Sequence, residues 1–291
     1  MPAYLWSEES VMTRNKVVLF DASFSASKLY FALKSKRVAM VPKDLIATIS
    51  RYANSISRQH MTPHVAFVFD LGKSAYRLSI FDGYKGQRAP NPERTWFVKL
   101  FRSVIDAMGV TNYGVEGVEA DDIIATLCQQ SIAAFDDENV VTIIAGCDKD
   151  FKQLLTHHIR QFIPDKNWVY TRQTFVSQYG FEPKNFTLYQ ALIGDNADNI
   201  SGAIGSTELV RAKAIVSKCT SIDEIIETAN KCDDHVFRGL SDSRELLERN
   251  LKLVTLLQDV PVTATGDGYR RRNVDDDKMQ ELYFLPAYEE L

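Results

Sequence analysis

Three short apolar runs, each closed by an aspartate, constrain the fold of this chain more than any other feature. The runs are KVVLFD, HVAFVFD and VVTIIAGCD, and they end at Asp21, Asp70 and Asp148. Continuous apolar runs of this kind are typical of strands buried on both faces. Stretches with helical periodicity, such as KDLIATISRYANSI, lie between them. The alternation of strand and helix predicts an α/β fold with a parallel sheet.

Such a sheet also predicts where acidic side chains gather. Ligands of open parallel sheets bind outside the carboxyl ends of the strands. Asp21, Asp70 and Asp148 are far apart in sequence, yet each follows a predicted strand. We therefore expect their carboxylates to meet at one edge of the sheet.

The segment GVEADDII, residues 117–124, adds Glu119, Asp121 and Asp122 to this set. The apolar residues that follow repeat at helical spacing, so the three acids fall in the first turn of a predicted helix. One acid there stabilises the positive end of the helix dipole. Three acids in four residues repel one another, and this favours a cation site over simple capping.

Further acids follow the same pattern. Asp150 comes two residues after Asp148, and GDNADN supplies Asp195 and Asp198 after the apolar run LYQALI. Hard divalent cations, Mg²⁺ or Mn²⁺, would make so many clustered carboxylates tolerable, and the surplus predicts two ions with further acids holding water. Two ions about 4 Å apart suit in-line attack on a phosphodiester. The nine candidate metal ligands are Asp21, Asp70, Glu119, Asp121, Asp122, Asp148, Asp150, Asp195 and Asp198.

Three other motif interpretations fail on single residues. GDNADNISGAIGS begins like an EF-hand loop, but its sixth and twelfth positions are Ile200 and Ser206. LGKS resembles the end of a P-loop, but Phe67 stands where that motif needs its first glycine. DKDF resembles an aspartate-based phosphatase motif, but its fifth position is Lys152 and the other acids are left unexplained.

A basic segment follows the second predicted strand. Residues 71–105 contain seven bases and two acids, whereas the whole chain has a net charge of −4. This separation is typical of a protein with an anionic partner and a cation site. The prolines at 90 and 92 precede a predicted amphipathic helix whose lysine and arginine side chains are available to bind phosphates. Tyr84 is either a residue that stacks on a nucleobase or a half-buried ring. The candidate contacts are Tyr84, Lys85, Arg88, Arg94, Lys99 and Arg102.

Composition restricts the class of protein. The 291 residues are 45% hydrophobic, which is ordinary for a globular protein. No apolar stretch approaches the roughly 18–20 residues of a membrane span, and the first sixteen residues lack the pattern of a signal peptide. The four scattered cysteines indicate reduced thiols. We expect a cytoplasmic protein without a membrane partner.

The character of the chain changes near Pro183, where strand-like runs give way to helical patterns. We therefore predict an α/β unit at residues 1–182 and a helical unit at residues 183–291.

Taken together, six motifs resemble the 5′-nuclease superfamily of flap endonucleases and 5′-exonucleases, and the stand-alone phage enzymes look closest. The motifs are VVLFDASF, FVFD, YKGQR, GVEADD, GCDKDF and LIGDNADNISG, in the order of that family, across roughly residues 16–260. The resemblance implies a Rossmann-like (PIN-like) nuclease core, a helical arch over the site at about residues 84–110, and a helix–three-turn–helix region that binds duplex DNA.

The resemblance also implies roles. Asp21, Asp70, Glu119, Asp121 and Asp122 match the first-metal cluster, and Asp148, Asp150, Asp195 and Asp198 match the second. Lys85 and Arg88 match the bases at the scissile phosphate. The implied activity is 5′-3′ exonuclease and flap endonuclease cleavage of DNA by a monomer, located in the host cytoplasm if the source is a phage. An RNase H-like activity on RNA primers or RNA–DNA hybrids and a non-catalytic branched-DNA binder are the alternatives.

One segment departs from the family pattern. The family's hairpin is glycine-rich, of the type G-[IV]-G-x-K, and sometimes holds a potassium ion, but here Ser206 and Thr207 replace the apolar–glycine pair that should follow Gly205. The potassium site and the hairpin shape are therefore in question, while Gly202 and Gly205 remain candidate DNA contacts. Thr207 is predicted to cap the helix ELVRAKAIV, from which Arg211 and Lys213 would reach phosphates.

Overall fold

The structure, a computed structural model, describes residues 16–135, 140–264 and 266–290. The N-terminal extension, for which we predict no signal peptide, lies outside them. The main sheet has the order β3-β2-β1-β4-β5-β6, in which β1 to β5 are parallel and β6 is antiparallel to β5. Its strands are β1 (Lys16–Asp21), β2 (His64–Val68), β3 (Thr111–Tyr113), β4 (Val141–Ala145), β5 (Ile159–Ile163) and β6 (Trp168–Tyr170). The predicted parallel α/β fold is confirmed.

Helices cover both faces of this sheet. The helices are α1 (Ala22–Ser35), α2 (Pro42–Arg58), α3 (Ala75–Ile80), α4 (Pro92–Ala107), α5 (Ala120–Ala134), α6 (Arg172–Tyr179), α7 (Phe186–Ile193), α8 (Leu209–Val216), α9 (Ile222–Asn230), α10 (Arg244–Val254) and α11 (Asp276–Tyr283). A small hairpin pairs β7 (Gly194–Asp195) with β8 (Ile200–Ser201). Because side chains alternate along a strand, Val18 and Phe20 pack under α1, α2 and α4, while Val17 and Leu19 pack against α5.

Register brings the ends of the strands together. Phe20 of β1 lies opposite Phe67 of β2 and Ala145 of β4, so the three strands end at the same edge of the sheet. Asp21 both ends β1 and caps α1, because its Oδ1 accepts a hydrogen bond from Phe24 N at 2.9 Å. The carboxyl edge therefore carries the acids that the strand pattern predicted.

The predicted arch at residues 84–110 is wrong over most of its length. Helix α4 is a core helix, since Phe97, Phe101 and Val104 are fully buried in the cluster that covers the sheet. The amphipathic pattern of this segment arises because one face of α4 packs against α1 and α2. It does not indicate a helix that projects over the site. Within the predicted arch, residues 84–91 precede α4, and Lys85 in this part contacts Glu119 beside the carboxyl edge.

The predicted helical unit is present but does not extend to residue 291. Helices α6 to α10 enclose a second buried cluster that includes Phe186, Ile215 and Leu247. After α10 the chain returns to the main sheet, where Leu256 and Val260 pack in the buried cluster between the sheet and α5. Helix α11 packs against α2 and α4. In the part of the chain that the structure describes, no helix is both long and apolar enough to cross a membrane.

Candidate active site

Four aspartates lie at the carboxyl edge of the sheet, and we call them the acid edge: Asp21, Asp70, Asp121 and Asp148. Burial, followed by the charges of Asp70 and Asp148, raises the pKa of Asp21 to about 7. Burial, followed by the charges of Asp148, Asp21 and Asp70, raises the pKa of Asp121 well above its usual value. These charges act on one another because β1, β2 and β4 end at the same edge of the sheet and Asp70 contacts the first turn of α5, which carries Asp121.

Backbone contacts fix these carboxylates in place. Asp70 Oδ1 accepts a hydrogen bond from Ala120 N at 2.8 Å, which ties the end of β2 to the start of α5. Asp148 Oδ1 accepts from Asp150 N at 2.8 Å. A Cβ on Gly146 would lie only 3.0 Å from the Asp21 Cβ, so glycine at this position lets the end of β4 approach β1 closely.

A second acidic group lies beside the acid edge. Asp150, Asp195 and Asp198 each place one carboxylate oxygen within 4.8 Å of an oxygen of the other two. Burial, followed by the charges of Asp148 and Asp195, raises the pKa of Asp150 to about 8. The Gln190 amide donates a hydrogen bond to Asp150. Seven of the nine predicted ligands are therefore brought into these two neighbouring groups.

The loop that carries Asp195 and Asp198, residues 194–202, is closed by two glycines, and we call it the acid loop. A Cβ on Gly202 would lie 2.4 Å from Ile193 C, and a Cβ on Gly194 would lie 2.4 Å from Gly202 N. Gly194 also has φ +73°, in the left-handed region that favours glycine. Gly202, predicted as a DNA contact, therefore has a structural reason to be glycine, because it holds the acid loop closed.

Basic side chains line the outer rim of the site. Lys85 Nζ lies 2.5 Å from Glu119 Oε1 and 3.7 Å from Asp198 Oδ2. An Arg88 guanidinium nitrogen lies 2.6 Å from Asp198 Oδ1. A cleft of about 230 Å³ opens here, and its lining includes Asp70, Lys73, Tyr84, Lys85, Arg88 and Glu119. The two bases predicted at the scissile phosphate thus lie between the acids and an open cleft.

Asp122 is a correction to the predicted ligand set. Its carboxylate accepts two hydrogen bonds from the Arg77 guanidinium, at 2.6 and 2.9 Å, and a third from Leu257 N at 2.9 Å. The residue is only 1% exposed. Because its oxygens are committed to this buried pair, Asp122 stabilises the fold rather than binding a metal.

Tyr84 is a second correction. The ring is 6% exposed, and its hydroxyl lies 3.0 Å from Glu119 Oε2 and 3.1 Å from Asp198 Oδ2. A nucleobase has no access to a buried ring, so the predicted stacking role is wrong. Tyr84 instead connects Glu119 to Asp198.

The three predicted phosphate contacts on α4 differ in their surroundings. Arg102 is half-buried, donates to Asn112 Oδ1 at 3.0 Å and lies over the Phe69 ring, so it is engaged within the protein. Arg94 and Lys99 are exposed. Only these last two remain candidates for DNA contact.

The predicted contacts near α8 are also corrected in part. Arg211 forms ion pairs with Glu208 and Asp234, at 2.7 and 2.8 Å. Lys213 Nζ donates to Gln178 O and lies 4.4 Å from the centroid of the Tyr179 ring. Both cations therefore already have partners within the helical unit.

Thr207 does not cap α8, because the N-cap residue is Glu208 and it makes no side-chain capping bond. Gly205 is exposed, and neither it nor Ser206 or Thr207 has a positive φ. The replacement of the family's apolar–glycine pair by Ser206 and Thr207 therefore causes no left-handed strain, and Gly205 remains a candidate DNA contact.

Sequence reasoning missed four residues that shape the site. Lys73 lines the cleft, Lys149 Nζ lies 3.0 Å from Asp195 Oδ2, Gln190 bonds Asp150, and Arg77 contacts both Glu119 and Asp122. Lys149 lies between two predicted ligands in the sequence DKD, so its place near the acids could have been predicted. Arg77 and Gln190 carry no local signal, because their partners are distant in sequence.

The donor set suits a hard divalent cation. It consists of carboxylate oxygens without histidine or cysteine, which is the chemistry that Mg²⁺ or Mn²⁺ prefers. Among the described residues, the acid edge and Asp150 form no ion pair with a lysine or arginine, whereas Glu119, Asp195 and Asp198 each do. Divalent cations would supply the missing positive charge.

Fold and site together define a PIN-like α/β protein with an acidic pocket at the carboxyl edge of its sheet, followed by a helical unit. The family described as "5'-3' exonuclease, N-terminal resolvase-like domain" matches residues 16–180. The family described as "5'-3' exonuclease, C-terminal SAM fold" matches residues 181–277. The chain belongs to the 5′-3′ exonuclease family.

Individual relatives agree with this placement. The 5′-3′ exonuclease of Bacillus subtilis is 30% identical over 268 residues, which cover 87% of each chain. DNA polymerase I of Mycobacterium leprae is 26% identical over 279 residues, 93% of this chain but 30% of the relative. The chain thus spans about a third of the length of the polymerases that it matches.

Solved structures share the fold. The bacteriophage T5 5′-exonuclease with bound zinc ions superimposes with a TM-score of 0.70 at 20% identity, covering 92% of this chain and 98% of that one. The catalytic core of Rad2 in complex with DNA gives a TM-score of 0.59 at 14% identity, covering 92% of this chain and 86% of the other.

Proposed function

We propose that this protein is a Mg²⁺- or Mn²⁺-dependent 5′ nuclease that removes nucleotides from 5′ ends of DNA and cleaves 5′ flaps. One observation carries the proposal: the four acid-edge carboxylates and Asp150 lie at the same edge of the sheet and form no ion pair with a lysine or arginine among the described residues. Asp70 lines the same cleft as Lys73, Lys85 and Arg88. Family membership, and the metal and DNA complexes of T5 flap endonuclease, support it.

The proposed ligands divide between the two acidic groups. Asp21, Asp70, Asp121 and Asp148 would hold one ion, and Asp150, Asp195 and Asp198 would hold another, with Glu119 at the rim. Bound divalent ions polarise a phosphodiester and stabilise both the attacking and the leaving oxygen of an in-line displacement. Asp122 is left out of this set because Arg77 neutralises it.

The chain's own bases position the substrate. Lys85 and Arg88 lie between the carboxylates and the cleft, where they can bind the oxygens of the phosphate that is cut. Lys73, which lines the same cleft, can bind a neighbouring phosphate. The products would be a 5′-phosphate and a 3′-hydroxyl.

Cleavage of a 5′-labelled flap duplex in Mg²⁺, Mn²⁺ and EDTA tests the proposal. We expect cleavage in either metal, none in EDTA, and none after Asp148→Asn. Full activity in EDTA, or binding without cleavage in every metal, would refute it. The latter outcome indicates a non-catalytic branched-DNA binder, and matched substrates with RNA or DNA 5′ strands separate a DNA nuclease from an RNase H-like enzyme.

Lys85→Ala tests the role of the central base. A contact that strengthens as charge develops in the transition state lowers the single-turnover rate more than it lowers affinity. We expect at least about a 10²-fold slower single-turnover rate, with DNA affinity changed by less than about threefold. A loss of affinity at an unchanged rate would contradict this role.

A further inference from the structure

Two segments that are far apart in sequence join at the site. The turn that carries Lys85 and Arg88, residues 83–88, is called the basic turn. Gln87 Nε2 donates to Asn196 O at 3.0 Å and to Ala197 O at 3.2 Å, and Asn199 Nδ2 donates to Gly83 O at 2.8 Å. The Lys85 amide also donates to Asp198 O at 3.1 Å. The basic turn is therefore fastened to the acid loop from both directions.

The backbone at this junction adopts a conformation that neighbouring contacts must stabilise. Lys85 has φ +52° and Asn199 has φ +62°, both in the left-handed region. Asparagine tolerates that region, whereas lysine adopts it rarely and only where the surroundings impose it. Hydrogen bonds that hold Gly83 and Gln87 on either side of Lys85 keep it in this conformation.

Burial does not explain these contacts. Gln87 and Asn199 are both exposed, so their amides could bond water instead at little cost. Their shared effect is geometric, because they fix the position of the basic turn relative to Asp198. Under the proposed function, the basic turn contacts phosphate and Asp198 binds a metal ion.

We propose that Gln87 and Asn199 are positioning residues for the reaction, and that together they lock the basic turn onto the acid loop. The cations at Lys85 and Arg88 and the carboxylate of Asp198 then move as one unit, so the spacing between metal and phosphate is set before substrate arrives. The catalytic part of this inference rests on the proposed function, whereas the lock itself does not.

Hydrogen exchange tests the lock without DNA or metal. The variants are Asn199→Gly, which removes the donor but keeps a residue suited to left-handed φ, and Gln87→Ala. Asn167→Gly is the matched control, because Asn167 is also exposed and left-handed, at φ +46°, but lies in the turn before β6. We expect the amides of residues 83–88 to exchange about tenfold faster in both variants and to be unchanged in the control. Unchanged exchange in both variants would overturn the lock.

A double-mutant cycle tests the consequence for catalysis. Asn199→Gly should lower the single-turnover rate about tenfold in the wild-type background, with DNA affinity within about twofold. In a Lys85→Ala background the same change should cost less than about twofold, because the residue acts through Lys85. Equal losses in both backgrounds would assign Asn199 a general structural role. A wild-type protein that cleaves nothing refutes the proposed function, and the exchange measurement still decides the lock.

Discussion

Asp121 and Asp122 are neighbours in the chain, yet their surroundings are opposite. Asp122 is almost completely buried and accepts hydrogen bonds from Arg77 and Leu257. Asp121 is partly exposed and faces Asp21, Asp70 and Asp148, with no ion pair among the described residues. Successive residues of a helix point about 100° apart, so one side chain of α5 faces the pocket and the other faces α3 and the segment after α10.

The difference shows that this protein gives some buried charged groups an ion-pair partner and leaves others without one among the described residues. At Asp122 the protein supplies its own counter-ion, and the result is a structural joint between three segments. At Asp121 no ion pair forms among the described residues, and burial followed by the charges of Asp148, Asp21 and Asp70 raises the pKa of its carboxyl. His60 is a third case, because its buried ring has neither a counter-ion nor a hydrogen-bond partner at either nitrogen among the described contacts.

The largest expected effect comes from breaking the Arg77 pair. Asp122→Asn removes the carboxylate that accepts two hydrogen bonds from the buried guanidinium and leaves Glu119 as the remaining anion beside Arg77. Removal of one partner from a buried ion pair typically costs about 3–5 kcal/mol of unfolding free energy. Urea unfolding in EDTA measures the loss. An unchanged midpoint would show that the pair does not hold the fold.

The matched variant at the neighbouring position should behave in the opposite way. Asp121→Asn removes one of several repelling charges, so the unfolding free energy in EDTA should stay equal or rise. Activity should nevertheless fall by at least about 10²-fold, which is about 2.7 kcal/mol in the barrier. Single-turnover cleavage at saturating Mg²⁺ checks this, and wild-type activity would remove Asp121 from the ligand set.

The contrast also shows what sequence can predict here. Strands, their order in the chain and the convergence of Asp21, Asp70 and Asp148 follow from local apolar runs and from the geometry of parallel sheets, and these predictions hold. Asp122 was misassigned because its partners, the Arg77 guanidinium and the Leu257 amide, reach it only through tertiary structure. Spacing alone does not distinguish a paired acid from an unpaired one.

The arch shows a second limit. An amphipathic pattern predicts that α4 buries one face, but it does not tell whether that face meets the core or a mobile cover. Phe97 and Phe101 are fully buried against the sheet, which settles the question in the structure. Similarly, Arg211 and Lys73 look equivalent in sequence, and only the fold shows that the first is paired with acids and the second lines the cleft.

His60 gives a smaller, pH-dependent effect. Burial, followed by the charge of Lys16, lowers the pKa of His60 to about 4, and its ring packs edge-on against Phe20 and Phe162. The folded protein thus binds fewer protons here than the unfolded chain, whose histidine pKa is about 6.5. Stability present above pH 6.5 is therefore lost as the pH falls toward 4, by about 2 kcal/mol between pH 7 and pH 5.

His60→Phe keeps a ring in this site and removes the titration. Unfolding free energies of both proteins at pH 7 and pH 5 should show a smaller loss on acidification in the variant. Parallel losses would mean that another group accounts for the acid sensitivity.

The smallest effect extends the comparison from anions to cations. Lys73 is exposed, lines the cleft and has no ion pair among the described residues, whereas Arg211 is held by Glu208 and Asp234. A cation that is free to neutralise a phosphate releases a counter-ion on binding, so Lys73→Ala should weaken DNA affinity about tenfold at 0.1 M salt and lower the salt slope by about 1. Arg211→Ala should change affinity by less than about twofold, because its charge is already balanced. Binding of a fluorescent flap duplex in EDTA across a salt series measures both variants. If Arg211→Ala weakened binding as strongly as Lys73→Ala, pairing within the protein would not determine which charges meet DNA.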